Sequence, residues 1–264
     1  MKKKRVIPVV LLRNGQIVQS KCFKEFKNLG NPFKAVERFS NWDADELIYL
    51  EISKDYNHER TDLNSFGYKS SIDLLRKIAE SATMPITFGG GIRTTFDIET
   101  RISNGADKVS INSMLFNSPK LVKEACHEFG SQAIVASVDV SQVNESFFVI
   151  HNGLNSNIEI NEWVSQIVSL GVGEILLNVI ERDGTKEGYN LDLYKEIASK
   201  FKLPIIALGG VGKWEHFAQA LKDTSVDAVA AANIFQFQDQ SVYLARSFLY
   251  NGGFPVRPPS VTNS

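Results

Sequence analysis

Apolar positions along the chain fall into two alternating textures. Eight short stretches, residues 6–12, 47–52, 85–88, 108–111, 133–139, 174–179, 204–208 and 228–231, are nearly continuous runs rich in β-branched residues. Runs without polar alternation belong to strands covered on both faces, as in a parallel sheet. Between them the apolar residues move to helical spacing, as in 71–78, 162–170, 191–201 and 242–250. Asn117-Ser118-Pro119 reads as a helix start with proline in the first turn. Strand and helix alternating strictly predict a parallel sheet, and eight such units let it close into a TIM (β/α)8 barrel. Residues 29–32 and 56–67 read as longer loops after the first and second strands, on the face where such barrels carry their chemistry.

The pattern also repeats over half the chain. Phe88-Gly89-Gly90-Gly91-Ile92 and Leu208-Gly209-Gly210-Val211-Gly212 each follow an apolar run, 120 residues apart. Residues 106–112 answer to 226–232, 84–87 to 203–206, and 46–50 to 174–178. A period this long is no solenoid unit; it marks a duplicated half-barrel, with halves at about 1–125 and 126–250 of a single 1–264 domain. A glycine turn between strand and helix lets backbone N–H groups close on a phosphate. Two such turns suit a substrate with a phosphate at each end.

Composition narrows the setting. A chain of 264 residues, 43% hydrophobic and 22% charged, is accounted for by one barrel. A net charge of −1 gives no electrostatic reason to expect nucleic acid or an anionic membrane. No run approaches a membrane span, and the basic start is not followed by a signal-like segment. Cys22 and Cys126 are too few for a disulfide framework, and the four histidines do not cluster, so a cytoplasmic protein with no metal and no cofactor is expected.

Candidate chemistry follows from the strand ends. Asp139 closes the fifth strand, where a carboxylate can act as general acid or base, or can merely cap a turn. Asn112 and Ser113 close the fourth strand, and Asn178 the sixth, leading into a polar loop with Asp183 and Gly184. Ala232 and Asn233 lead into a short helix, residues 234–237, after the eighth strand, a common phosphate position in these barrels. With Gly90, Gly91, Gly209 and Gly210 these form the expected phosphate and substrate set. At the opposite end Arg5, Glu46, Lys108 and Glu174 all sit at strand starts. Any one of them could be simply solvated, but two of each sign around one opening make a compensated ring that could plug the base or face a partner.

Over nearly its full length the chain resembles the cyclase subunit family of imidazole glycerol phosphate synthase. The resemblance rests on Phe88–Ile92, residues 106–112, 129–133, 173–177 and 182–189, and Gly209-Gly210-Val211-Gly212-Lys213-Trp214-Glu215-His216-Phe217. It implies a synthase working with a glutaminase subunit docked on the base of the barrel, with Asp107 at that interface. Arg5, Glu46, Lys108 and Glu174 would then be a gate admitting ammonia. It further implies a bisphosphate ribulosyl substrate at the mouth, attacked by ammonia and closed to an imidazole between two aspartates, on the first and fifth strands.

Asp139 matches the second of those aspartates, but Leu11 stands where the family has the first, and residues 6–13 contain no carboxylate. Gln19 stands for a lysine, Glu51 for an aspartate and Asn233 for a serine. Two expectations stand side by side. One is a cyclase relying on Asp139, with Glu51 or a water in place of the missing acid. The other is a non-cyclising conduit that, with a glutaminase, feeds ammonia to a third protein, an amidotransferase making amidino sugars for surface polysaccharide, as divergent members of the family are thought to do.

Overall fold

A computed structural model describes residues 2–53, 68, 70–236 and 240–260. In chain order the strands are β1 (Arg5–Arg13), β2 (Gln16–Lys21), β3 (Glu25–Gly30), β4 (Leu47–Glu51), β5 (Ile86–Gly89), β6 (Lys108–Ile111), β7 (Ile134–Val143), β8 (Ser146–His151), β9 (Leu154–Glu159), β10 (Glu174–Val179), β11 (Ile205–Leu208) and β12 (Ala228–Ala231). The helices are α1 (Pro32–Asn41), α2 (Ser71–Ser81), α3 (Thr95–Ser103), α4 (Ser113–Asn117), α5 (Pro119–Phe129), α6 (Ile160–Leu170), α7 (Leu191–Lys200), α8 (Trp214–Asp223) and α9 (Ser241–Asn251). Eight strands pair in parallel in the order β1-β4-β5-β6-β7-β10-β11-β12, and β12 returns to β1, so the sheet closes as a (β/α)8 barrel.

The barrel has two apolar layers because its strands are covered on both faces. One set of residues packs outward against the helices, among them Val6, Tyr49, Phe88 and Val109. The other fills the lumen, with Ile7, Val9, Leu11, Ile48, Val135, Leu176, Ile206, Leu208, Ala228 and Ala230. The duplication is visible in how strands are fastened at the base. The Asp107 carboxylate accepts from the Ile86 N–H at 2.8 Å, and Asp227, its counterpart, accepts from Ile205 N–H at 3.2 Å. Asp45 does the same for Val6 at 2.9 Å.

Four strands go beyond the alternating pattern. β1 runs on past the barrel and folds back through the hairpin β2–β3, while β7 runs on into β8–β9. The sequence expectation that Asp139 ends its strand is therefore corrected: β7 continues to Val143, although its pairing with β10 stops at Val140. Residues 29–32 are likewise not a loop, since Leu29 and Gly30 end β3 and Pro32 begins α1 behind the Asn31 cap. The turns explain the hairpins. Asn14-Gly15 and Asn152-Gly153 both have paired positive φ values, 54° and 73°, then 52° and 79°. This backbone matches strand twist and is supplied by Asn-Gly. The loop expected at 56–67 lies outside the described residues. The short helix after β12 spans Asn233–Gln236, with Phe237 outside the described residues. Near the chain's end, Ser260 donates from N–H and hydroxyl to Asp43 at 3.3 and 2.6 Å.

Candidate functional site

The base of the barrel is shut by the four charged strand-start residues. Arg5 reaches both acids, at 2.7 Å to Glu46 and 3.2 Å to Glu174, with a further contact from its second nitrogen to Glu174. Lys108 Nζ closes the ring at 2.9 Å to Glu46 and 3.2 Å to Glu174. The Thr87 hydroxyl donates to the remaining Glu46 oxygen at 2.7 Å. Burial alone would push the Glu46 carboxyl up, but Lys108 and Arg5 together hold it below the ordinary carboxylate range. Burial also opposes the Arg5 charge, and the two glutamates more than restore it. Neither acid is exposed, with side chains 3% and 8% accessible, so neither can be freed of its cations without a large penalty. Asp107 sits beside the ring, exposed on the outer surface of the base.

Above the ring the lumen is two-faced. β1, β4, β11 and β12 line it with Ile7, Val9, Ile48, Ile206 and alanines. β5 and β6 contribute Thr87 and Ser110, and the buried Ser110 hydroxyl has no hydrogen-bond partner among the described residues. At the mouth the polar side ends in Asp139. Asn178 Nδ2 donates to one carboxylate oxygen at 2.8 Å and Asn112 Nδ2 to the other at 3.2 Å. Asn178 faces Asp139 because the two are in register across β10 and β7. Burial pushes the Asp139 carboxyl above its usual value, Asn178 opposing and the charge of Asp183 adding to the rise.

The opposite wall of the mouth is apolar. Leu11 is in register with Leu50 on β4 and Val18 on β2, and Phe23 and Phe26 from the β2–β3 hairpin pack on the same cluster. Leu208 adds a second leucine at the end of β11. Glu51, by contrast, accepts from the Ser53 N–H at 3.0 Å and from its hydroxyl, and its neighbour Leu50 takes the lumen position. Glu51 is thus turned away from Asp139, which corrects the expectation that it could replace the missing acid.

The β2–β3 hairpin is the element that the apolar pattern did not reveal, and it roofs the mouth. The Ser20 hydroxyl donates to Asp183 at 2.6 Å, Cys22 N–H to the Asp183 carbonyl at 3.0 Å, and Asn233 Nδ2 to the Ser20 carbonyl at 2.9 Å. Burial raises the Asp183 carboxyl, with the Ser20 hydroxyl acting against that rise. Beneath the roof lies a cavity of about 20 Å³ whose walls include Leu11, Phe23, Asn178, Asp183, Gly184, Gly209, Gly210, Ala232 and Asn233. The second-half candidates are therefore brought together. The first-half set, Gly90, Gly91, Asn112 and Ser113, does not line that cavity. Asn112 instead holds Asp139, Ser113 begins α4, and the Gly90 carbonyl accepts from buried Arg101 at 2.6 Å. Among the described residues no group of three or more His, Cys, Asp or Glu could hold a metal ion, and no helix is long and apolar enough to cross a membrane.

Comparison with known proteins adds two kinds of agreement. The model of the histidine biosynthesis protein family matches residues 5–241. The imidazole glycerol phosphate synthase subunit HisF of Hydrogenobaculum sp. (strain Y04AAS1) is 38% identical over 260 residues, 97% of this chain and 100% of that one. The subunits of the same name from Sulfurisphaera tokodaii and Clostridium botulinum (strain 657 / Type Ba4) are 37% and 36% identical, covering 97% and 96% of this chain and 100% and 98% of theirs.

Proposed function

The chain belongs to the histidine biosynthesis protein family, in the HisF branch, and from that premise we propose that it is the ammonia-receiving barrel subunit of a glutamine-dependent synthase of the imidazole glycerol phosphate type. A glutaminase subunit would dock on the base, where Asp107 and the charged ring face outward. The observation that carries this reading is the closed Arg5–Glu46–Lys108–Glu174 ring over an apolar lumen. An ammonium ion loses too much solvation to enter such a lumen, whereas neutral ammonia does not. Lys108 is the natural moving part. It is a single ammonium on a flexible stem with two contacts, whereas Arg5 grips Glu174 with two nitrogens. Swinging Lys108 aside leaves each glutamate paired with Arg5 and opens a path past Thr87 and Ser110 to Asp139.

At the mouth a bisphosphate ribulosyl substrate would place one phosphate on the Gly209–Gly210 turn with Asn233, and the other on the first-half turn. Asp139, held by two asparagines and raised above the ordinary carboxylate value by burial, is placed to take or give a proton at the mouth. Ring closure needs proton transfer on both sides of the forming ring, and Leu11 cannot supply the second. That observation favours a second reading, in which the barrel delivers ammonia without cyclising, to an amidotransferase that makes amidino sugars.

The purified chain at saturating ammonium and elevated pH tests the two, with loss of the bisphosphate substrate as the readout. Turnover that disappears in Asp139→Asn supports the cyclase. A folded chain that turns nothing over, yet activates a glutaminase, supports the conduit. A chain that does neither refutes both.

A further inference from the structure

The two glycine turns are fastened by different chemistry at the same place in the two half-barrels. In the first half Thr94 caps α3 and Asp97 is the third helical residue. The Asp97 carboxylate accepts from the N–H groups of Arg93 at 3.0 Å and Thr94 at 2.9 Å. In the second half Lys213 occupies the cap position of α8 and makes no side-chain cap bond, and the third helical residue is His216. Its Nδ1 accepts from the Gly212 N–H at 3.2 Å, the same reach back over four residues. An amide can only donate, so Nδ1 carries the lone pair and the imidazole accepts without a negative charge. The ring also backs the turn from below: a Cβ on Gly188 would lie 3.4 Å from it, and the Gly188 N–H donates to the Gly210 carbonyl at 2.7 Å.

We propose that His216 is a positioning residue for the phosphate site at the second glycine turn, fixing residues 209–212 with a neutral acceptor where the first turn uses a carboxylate. The proposal rests on the reading of the mouth as a phosphate site. A carboxylate at position 216 would make the same hydrogen bond but would stand next to a bound anion, against the favourable field of backbone amides. Burial, assisted by Lys213 and opposed by Glu215, holds the imidazole below its ordinary value, so it is neutral at neutral pH. The first turn, with Asp97 fixed beside it, is by the same argument the weaker anion site.

Four proteins separate positioning from mere packing: the full chain, His216→Asn, His216→Asp and His216→Leu, each titrated calorimetrically with inorganic phosphate at pH 7.5 and melted in parallel. Asparagine supplies a neutral acceptor and is expected to bind within about threefold of the parent. Aspartate is expected to melt close to the asparagine variant yet bind about tenfold more weakly, a like-charge effect that structure alone would not produce. Leucine is expected to lose binding for want of an acceptor. Equal binding by the aspartate and asparagine variants, or full binding by a folded leucine variant, overturns the role of His216 and leaves the phosphate site standing. No phosphate binding by the parent chain overturns both.

Discussion

Restoring the absent carboxylate is the sharpest perturbation of the mouth. Leu11→Asp replaces a side chain that is 3% exposed and packed between Leu50 and Val18. Removing a buried leucine costs about 2–5 kcal/mol. Setting a carboxyl group among Leu50, Leu208 and Phe23 takes it out of water, which adds about 1–3 kcal/mol even when it stays protonated. The sum, about 3–8 kcal/mol, corresponds to a fall in melting temperature of roughly 6–32 °C for a chain of this size. An acid–base partner is worth about 10²–10⁴ in rate when its proton is within reach. Here Gln19, Leu208 and the apolar roof remain, so ammonia-dependent turnover is expected to rise less than about tenfold. The assay is the ammonium-supplied cyclisation already described, run beside a thermal melt. Family-like turnover from this one substitution, or an unchanged melting temperature, would refute the account of the mouth as having an apolar wall opposite Asp139.

Three further outcomes follow from the geometry. The Asp139 carboxyl is raised in the fold, so its contribution to stability is complete below its unfolded value near 3.8 and lost as pH rises through the folded one. Asp139→Asn should therefore unfold at higher urea than the parent at pH 7–8, the gap closing toward pH 4, and parallel pH profiles would contradict the burial argument. Lys108→Met removes one cation from two nearly inaccessible glutamates. Discounted for the 20% exposure of the lysine, the expected loss is about 1–3 kcal/mol by denaturant titration, and a loss under about 0.5 kcal/mol would mean the ring is not closed in solution. Gly210→Ala forces a Cβ to within 2.2 Å of the Gly188 carbonyl at φ +90°, for a loss of about 2–5 kcal/mol. Gly153→Ala, at φ +79° with nothing within 4 Å, should lose only about 1 kcal/mol, and equal losses would remove the close approach as the cause.

The barrel and its charged base were legible in the sequence for one physical reason. Strands covered on both faces leave continuous apolar runs, and a charge at the start of such a run has only the barrel end to occupy. Arg5, Glu46, Lys108 and Glu174 needed no knowledge of loops to be placed. The mouth was less legible because its shape is set by the β2–β3 hairpin, whose strand β3 has no residue fully buried and so shows no apolar run. A local signal for it lies in the turns, Asn14-Gly15 and, on the other half, Asn152-Gly153, which the apolar pattern passes over. Phe23 carries no local signal at all. Its position over the lumen depends on Ser20 meeting Asp183, 163 residues away. Glu51 failed for a related reason: residue type at a strand end does not say which face the side chain takes, and one residue of register decides it.

The two ends of the lumen also differ in what each contributes to stability. A ring of buried ion pairs is a poor stabiliser, since desolvating four charges offsets most of their attraction, and well-packed apolar side chains would plug the same opening at less cost. Packing is thus no reason for the ring to be charged, whereas a closure made of contacts that can exchange partners is one that can open. At the mouth the trade runs the other way. A carboxylate drawn from water there is disfavoured, the direction in which burial moves the Asp139 carboxyl, and leucine at position 11 avoids one such group by extending the apolar lining to the roof. On the proposed reading such a barrel would carry ammonia neutral along its apolar lining and meet it with Asp139 at the mouth. That arrangement would suit delivery better than ring closure, for which Leu11 offers no proton.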